Sequence, residues 1–277
     1  MKIKKIKLLA GAMIIAMIGA VFTGCGNNST SNDGTVTITV SGSTSVGPLM
    51  EKIAEKYEEE NSNISIEINQ TGSSAGIKDA MDGISQIGMS SRDLKDEEAA
   101  KVKATVLAYD GVAVITNTGN SVKELTIGQI RDIFTGKITN WSEVGGSNAS
   151  IVVVSREAGS GTRTAFEEGV GYSEEELVKD AIISKGNGDV KTTVSTNENA
   201  IGFVSFEYVD DAISSINVNG IEPTAANVKA GSYALSRPFL AVTNEQYITE
   251  DSQKLIDYIT SEEGQQIVED NKLITID

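Results

Sequence analysis

Apolar residues alternate with threonines over Thr35–Val40, which places Val36, Ile38 and Val40 on one side of an extended chain. That period of two predicts a half-buried strand. The run breaks at Ser41-Gly42-Ser43-Thr44-Ser45. A helix follows with Leu49, Ile53, Ala54 and Tyr57 on one face and Pro48 in its first turn, where a missing N–H costs little. The same order then repeats. Ile64, Ile66 and Ile68 alternate over Asn63–Asn69, the segment Thr71-Gly72-Ser73-Ser74-Ala75-Gly76 interrupts, and an amphipathic helix is expected from Ile77 to near Gly83. Gln86–Met89 reads as a short strand leading to Ser90-Ser91-Arg92. Further buried strands are expected at Val112–Ile115, Ile151–Val154, Ile201–Ser205 and Phe239–Val242. Helices are expected over Ile127–Phe134, from Arg163 onward, and along most of Ser252–Val268. Strands alternating with helices in this way predict an α/β fold with mainly parallel sheets.

The N-terminus has a different pattern. Lys2, Lys4, Lys5 and Lys7 precede the uncharged run Leu8–Phe22, which is shorter than the ~20 apolar residues of a spanning helix. It fits the apolar region of a secretory signal. Thr23-Gly24-Cys25 follows and reads as a lipoprotein cleavage site, with residues 1–24 removed and a diacylglycerol on the Cys25 sulfur; Phe22 stands where such signals usually carry leucine. Two lipid chains, at about 0.8 kcal/mol per buried methylene, would hold the protein on the outer face of the cell membrane. The small polar stretch through Gly34 reads as a tether, residues 25–34, because it has too little apolar surface to fold.

Composition narrows the function. The net charge of −16 leaves no basic surface for nucleic acid. The chain has no histidine, and Cys25 is its one cysteine. The commonest metal ligand and general base are therefore missing, and zinc sites and Ser-His or Cys-His triads are excluded. The expectation is a binding protein without catalytic residues, cofactor or metal, and nothing in the sequence points beyond a monomer.

One arrangement recurs three times: a strand ends, a loop of Gly, Ser and Thr follows, and a helix begins. The loops are Gly42-Ser43-Thr44-Ser45, Gly72-Ser73-Ser74-Ala75-Gly76 and Gly159-Ser160-Gly161-Thr162. The first N–H groups of a helix lack intrahelical partners and carry the positive end of its dipole, and glycine lets an anion approach the backbone. Each loop taken singly also reads as an ordinary helix cap. Arg156 precedes the third loop and can fork onto two oxygens, or pair with Glu157. No loop continues into Gly-Lys-Ser/Thr, so none is a nucleotide-hydrolysing P-loop.

From Thr35 to the C-terminus the chain resembles the phosphate-binding proteins of ABC phosphate importers, the PstS family. The resemblance is carried by Gly42-Ser43-Thr44-Ser45-Val46, by Gly72-Ser73-Ser74-Ala75-Gly76, by the run from Ile127 to Trp141 with Phe134-Thr135-Gly136-Lys137-Ile138-Thr139-Asn140, by Arg156 to Thr162, by Asn199 to Val204, and by Ser236-Arg237-Pro238. It implies a periplasmic-binding-protein type II fold: two α/β lobes, 35–113 plus 240–277 and 114–239, joined by two hinge strands around a ligand cleft. It implies phosphate donors at Thr44, Ser45, Ser73, Arg156, Ser160, Gly161 and Thr162, with the Ser45 hydroxyl as an added donor, and delivery to a membrane permease. Some members carry a carboxylate after the Gly-x-Ser segment to accept the proton of hydrogen phosphate. Ser91 stands there in this chain, with Asp110 and Glu157 as the alternative acceptors. Arg92 and Arg237 are expected to pair with acids. The rival readings are another oxyanion (tungstate, molybdate or sulfate) and an anchored sensor or adhesin on the same fold.

Overall fold

The computed structural model describes residues 34–276. The expected signal 1–24, the lipidation site Cys25 and all of the tether except Gly34 lie outside the described residues. Strand β1 (Val36–Gly42) leads to helix α1 (Gly47–Glu60), β2 (Ile64–Asn69) to α2 (Ser73–Asp82), and β3 (Ile87–Ser90) to the short α3 (Asp96–Ala99). The 15-residue β4 (Lys103–Asn117) follows. Then come β5 (Glu124–Leu125), α4 (Ile127–Phe134), β6 (Val152–Arg156), α5 (Gly161–Val170), β7 (Ile182–Ser184), α6 (Gly186–Thr196), β8 (Ala200–Ser205), β9 (Ile213–Ser215), β10 (Asn217–Val218) and α7 (Ala225–Lys229). The chain ends with β11 (Ser236–Thr243), α8 (Glu250–Ile259) and α9 (Glu262–Asp270).

The main sheet runs β2-β1-β3-β11-β4-β8-β6-β7, with β9 also paired to β4. Its flanks are parallel, β1 with β2 and β3, and β6 with β7 and β8. Its centre is antiparallel, because β11 runs against β3 and β4, and β4 runs against β8. The expectation of mainly parallel pairing therefore holds for the flanks alone.

Two large apolar cores lie along this sheet, with a smaller cluster of Ile77, Ala80, Val102, Leu240 and Val242 beside them. One packs Ile38, Leu49, Ile53, Leu107, Ala108 and Phe239 against Leu255 and Val268 of the C-terminal helices. The other gathers Val112–Ile115, Phe134, Trp141, Phe166, Phe203 and Leu235, with the Phe166 and Phe203 rings stacked at 4.0 Å between centroids. The chain passes between the cores twice: on β4 between Ala108 and Val112, and between Leu235 and Phe239. At these crossings Asp110 faces Arg237 and Gly111 faces Ser236 in the β4–β11 register.

Local chemistry explains most element ends. α4 occupies its expected span because Thr126 and Gln129 cap it reciprocally. α2 starts at Ser73, one turn before the expected Ile77, because Gly72 at φ 95° turns the chain directly into the helix. The helical stretch expected along most of Ser252–Val268 is divided into two helices: α8 stops at Ile259, and Ser261 accepts from Gly264 N to cap α9.

Candidate functional site

The three glycine loops come together where the two cores face each other. From the β1 side come Thr44 and Ser45 ahead of α1, Ser73 in the first turn of α2, and Ser91 just past β3. From the other side come Arg156 at the end of β6, Ser160 as the cap of α5, and Gly161 and Thr162 in its first turn. A fourth helix start joins them: α6 begins at Gly186 and brings Asn187 to the same place.

The two walls touch through named bonds. Arg156 Nη2 donates to Thr44 Oγ1 at 3.1 Å, Asn187 Nδ2 to Ser45 Oγ at 2.9 Å, and Tyr208 Oη to the Thr44 carbonyl at 3.1 Å. Ser45 Oγ also accepts from Arg237 Nη2 at 3.0 Å and lies 2.8 Å from Thr162 Oγ1. A hydroxyl has two acceptor positions. Those of Ser45 are filled by the Asn187 and Arg237 N–H groups, so its hydrogen goes to Thr162. The Ser45 hydroxyl thus ties the walls together and has no hydrogen left for a ligand, while Thr162, itself an expected donor, keeps its own.

Arg156 is 1% exposed. Its Nε and Nη2 donate to Glu157 at 2.8 Å each, so the pairing read from the sequence exists, but inside the protein. Nη1 is buried with no hydrogen-bond partner among the described residues. Burial works against the Glu157 charge, yet the Arg156 fork and the Gly186 N–H at 3.3 Å outweigh it and leave this carboxyl below the usual range. A buried guanidinium N–H without an acceptor is costly, and an oxyanion beside it removes that cost.

On the opposite wall three serines form a chain. Ser43 Oγ accepts the N–H groups of Ser45 at 3.2 Å and Val46 at 3.3 Å and donates to Ser91 Oγ at 2.9 Å. Ser73 Oγ accepts Ser91 N–H at 3.1 Å and lies 3.2 Å from Ser91 Oγ. A Cβ at Gly161 would collide with both the Ser73 and Ser91 hydroxyl oxygens, so the start of α5 rests directly on this pair.

A sequence model of the PBP superfamily domain matches residues 27–263. The phosphate-binding protein PstS of Bacillus subtilis (strain 168) is 31% identical over 100% of this chain and 95% of its own length. That of Borreliella burgdorferi is 30% identical over 95% of this chain and 98% of its own. The chain belongs to the PstS family. A candidate phosphate ABC transporter substrate-binding protein from Clostridium perfringens, solved with bound phosphate, shares 56% identity and superposes with a TM-score of 0.86, covering 87% of this chain and 100% of that one. An ABC-type phosphate transport receptor from Vibrio cholerae shares 35% identity with a TM-score of 0.74, over 87% of this chain and 100% of that one. The fold is accordingly the two-lobed one of these binding proteins, and the family is one of substrate-binding proteins, which is not an enzyme class.

Against this family background, two expected acceptors are placed elsewhere. Asp110 is fully buried at the β4 crossing and takes Arg237 Nε at 3.1 Å and Nη2 at 2.8 Å on Oδ2, and Phe206 N–H at 3.3 Å on Oδ1. Complete burial raises its carboxyl and lowers the Arg237 guanidinium, and each keeps the other charged. Asp110 is thus engaged by Arg237 across β4 and β11, and Glu157 is engaged by Arg156. Arg92 pairs with Glu98 as expected, with two bonds of 2.8 and 2.9 Å. Arg237 pairs with Asp110 but also reaches Ser45. Three participants were not singled out in the sequence: Ser43, Asn187 and Tyr208. The signal for Asn187 is the same strand, glycine and helix order, at Ile182-Ile183-Ser184-Lys185-Gly186, with an amide in place of a hydroxyl.

Proposed function

We propose that the protein captures inorganic phosphate outside the cytoplasm and delivers it to an ABC-type import permease. The observation that carries this reading is Arg156, a buried arginine whose Nη1 has no partner among the described residues, set among the hydroxyls and helix starts of a PstS-family cleft. The binding set is Thr44, Ser45, Ser73, Ser91, Arg156, Ser160, Gly161 and Thr162, with Ser45 acting through Thr162. Helix dipoles, neutral hydroxyls and one guanidinium bind the anion locally, so the acidic net charge is no obstacle. Lobes 35–113 plus 240–277 and 114–239 close by bending at β4 and β11, and the closed form docks on the permease. A secretory signal over 1–24 and a lipid on Cys25 would keep a monomer at the outer face of the membrane.

Calorimetric titration of residues 26–277, stripped of co-purified anion, tests this. One-to-one binding of phosphate, with a weaker response to sulfate, is expected. Silence toward phosphate would overturn the reading and favour another oxyanion or a contact role for the fold.

A further inference from the structure

The serine chain beside Gly161 has a hydrogen count that fixes what it can offer a ligand. Ser43 is saturated as an acceptor by the Ser45 and Val46 N–H groups, so its hydrogen is committed to Ser91 Oγ. Ser73 Oγ has one acceptor position filled by Ser91 N–H. The contact between the Ser73 and Ser91 oxygens can run in either direction. If Ser91 donates, Ser73 is full as an acceptor and points its hydrogen outward, while Ser91 keeps one open acceptor position. If Ser73 donates, the roles exchange. In both states the pair presents one donor and one acceptor, and only the residue offering each changes.

The two carboxylates read as alternative acceptors are already engaged, Asp110 by Arg237 and Phe206 and Glu157 by Arg156 and Gly186. Ser43, Ser73 and Ser91 are 2%, 1% and 0% exposed, so water does not compete for the pair. Resting on the phosphate reading above, we infer that the Ser73–Ser91 hydroxyl pair, oriented by Ser43, is the group that accepts the proton of bound phosphate and so sets the preference for a protonated oxyanion. Phosphate near neutral pH retains a proton and satisfies the open acceptor position. Sulfate has none, and leaves that acceptor dry and unmatched. Because the pair also offers a donor, its rejection of sulfate is weaker than that of a fixed carboxylate facing the anion.

The test is the ratio of phosphate to sulfate affinity, measured by calorimetry at neutral pH on wild type, the double variant Ser73→Ala with Ser91→Ala, and Ser91→Asp, each checked for native circular dichroism. Damage common to both anions cancels in the ratio. Removing both hydroxyls of the pair leaves the Ser43 hydrogen alone, a donor-only wall, whereas either single alanine leaves an open acceptor on the remaining serine; in the double variant the preference for phosphate should narrow by about tenfold or more, about 1.4 kcal/mol. Ser91→Asp installs a permanent acceptor and should widen it by a similar factor. A ratio within about twofold of wild type in the double variant overturns the inference whatever Ser91→Asp does, about 0.4 kcal/mol being too little for a lost acceptor. Wild-type protein that binds sulfate and not phosphate overturns the phosphate reading itself, a different result from an unmoved ratio with phosphate bound.

Discussion

Two buried arginine–carboxylate pairs lie close together in this protein, and they are built differently. Arg237 and Asp110 are 127 residues apart in sequence, face each other across β4 and β11, and are 1% and 0% exposed. Every nitrogen of the Arg237 guanidinium has a partner: Nε and Nη2 go to Asp110, Nη2 also to Ser45, and Nη1 to the Ser91 carbonyl at 3.4 Å. Arg156 and Glu157 are neighbours in sequence, Glu157 is 27% exposed, and Arg156 Nη1 has no partner among the described residues. The same residue types thus give a closed network where the chain crosses between cores and an open one in the cleft. A saturated arginine holds geometry, and an unsaturated one has something left for a ligand.

The largest expected effect comes from opening the closed pair. Asp110→Ala leaves Arg237 charged and buried without its counter-ion, which should cost about 3–5 kcal/mol of stability in urea unfolding. Asp110→Asn, which keeps an acceptor, should lose less. A cost for Asp110→Ala no larger than that of a surface pair, about 1 kcal/mol or less, would dissolve the distinction between the two pairs.

Arg156→Ala should reverse the pattern. A bond from a charged donor is worth about 1.5–3 kcal/mol, so loss of the one that Nη1 has left to give should weaken phosphate binding by about tenfold to a hundredfold in calorimetry. Stability should fall by less than in Asp110→Ala, because Glu157 is 27% exposed and can hydrate once released. Affinity held within about twofold would mean that the open guanidinium is not where the anion sits.

The two pairs also differ in how far they can be read from the sequence. Arg156 precedes Gly159-Ser160-Gly161-Thr162, and that loop announces a helix start with hydroxyls on it, so its place in the cleft is legible from local chemistry. Arg237 and Asp110 become partners only through long-range strand pairing, which no local pattern encodes, and the expectation that Asp110 lies free to accept a proton fails for that reason. α6 escapes notice because Gly186-Asn187-Gly188-Asp189-Val190-Lys191-Thr192-Thr193-Val194 is poor in helix formers, with Val190 and Val194 alone marking its buried apolar face; burial in the second core overrides weak propensity. With α6 unseen, Asn187 and its bond to Ser45 were unseen too. Where capping residues and periodicity agree, as at Thr126-Ile127-Gly128-Gln129, the helix lies where the sequence puts it.

A pH-dependent effect concerns a third carboxyl set beside the closed pair. Glu207 lies on the turn after β8, next to Phe206, whose N–H binds Asp110. Both Glu207 oxygens are buried without partners among the described residues. Burial pushes this carboxyl up to about 9, the Asp110 charge adding to the shift and the Arg237 charge opposing it. In the unfolded chain the same group titrates near ~4.3. Between these values the folded protein holds a proton that the unfolded chain has released, so Glu207 lowers stability steadily as pH rises, until the folded form also ionises. Glu207→Gln replaces the neutral acid with a neutral amide of the same shape and removes that dependence. The variant should match wild type in urea unfolding near pH 4 and gain on it toward pH 8, by at most about 1.4 kcal/mol per pH unit. Parallel stability curves at the two pH values would mean that Glu207 is ionised in the fold, and that the negative charge beside Asp110 is stabilised by more than Arg237.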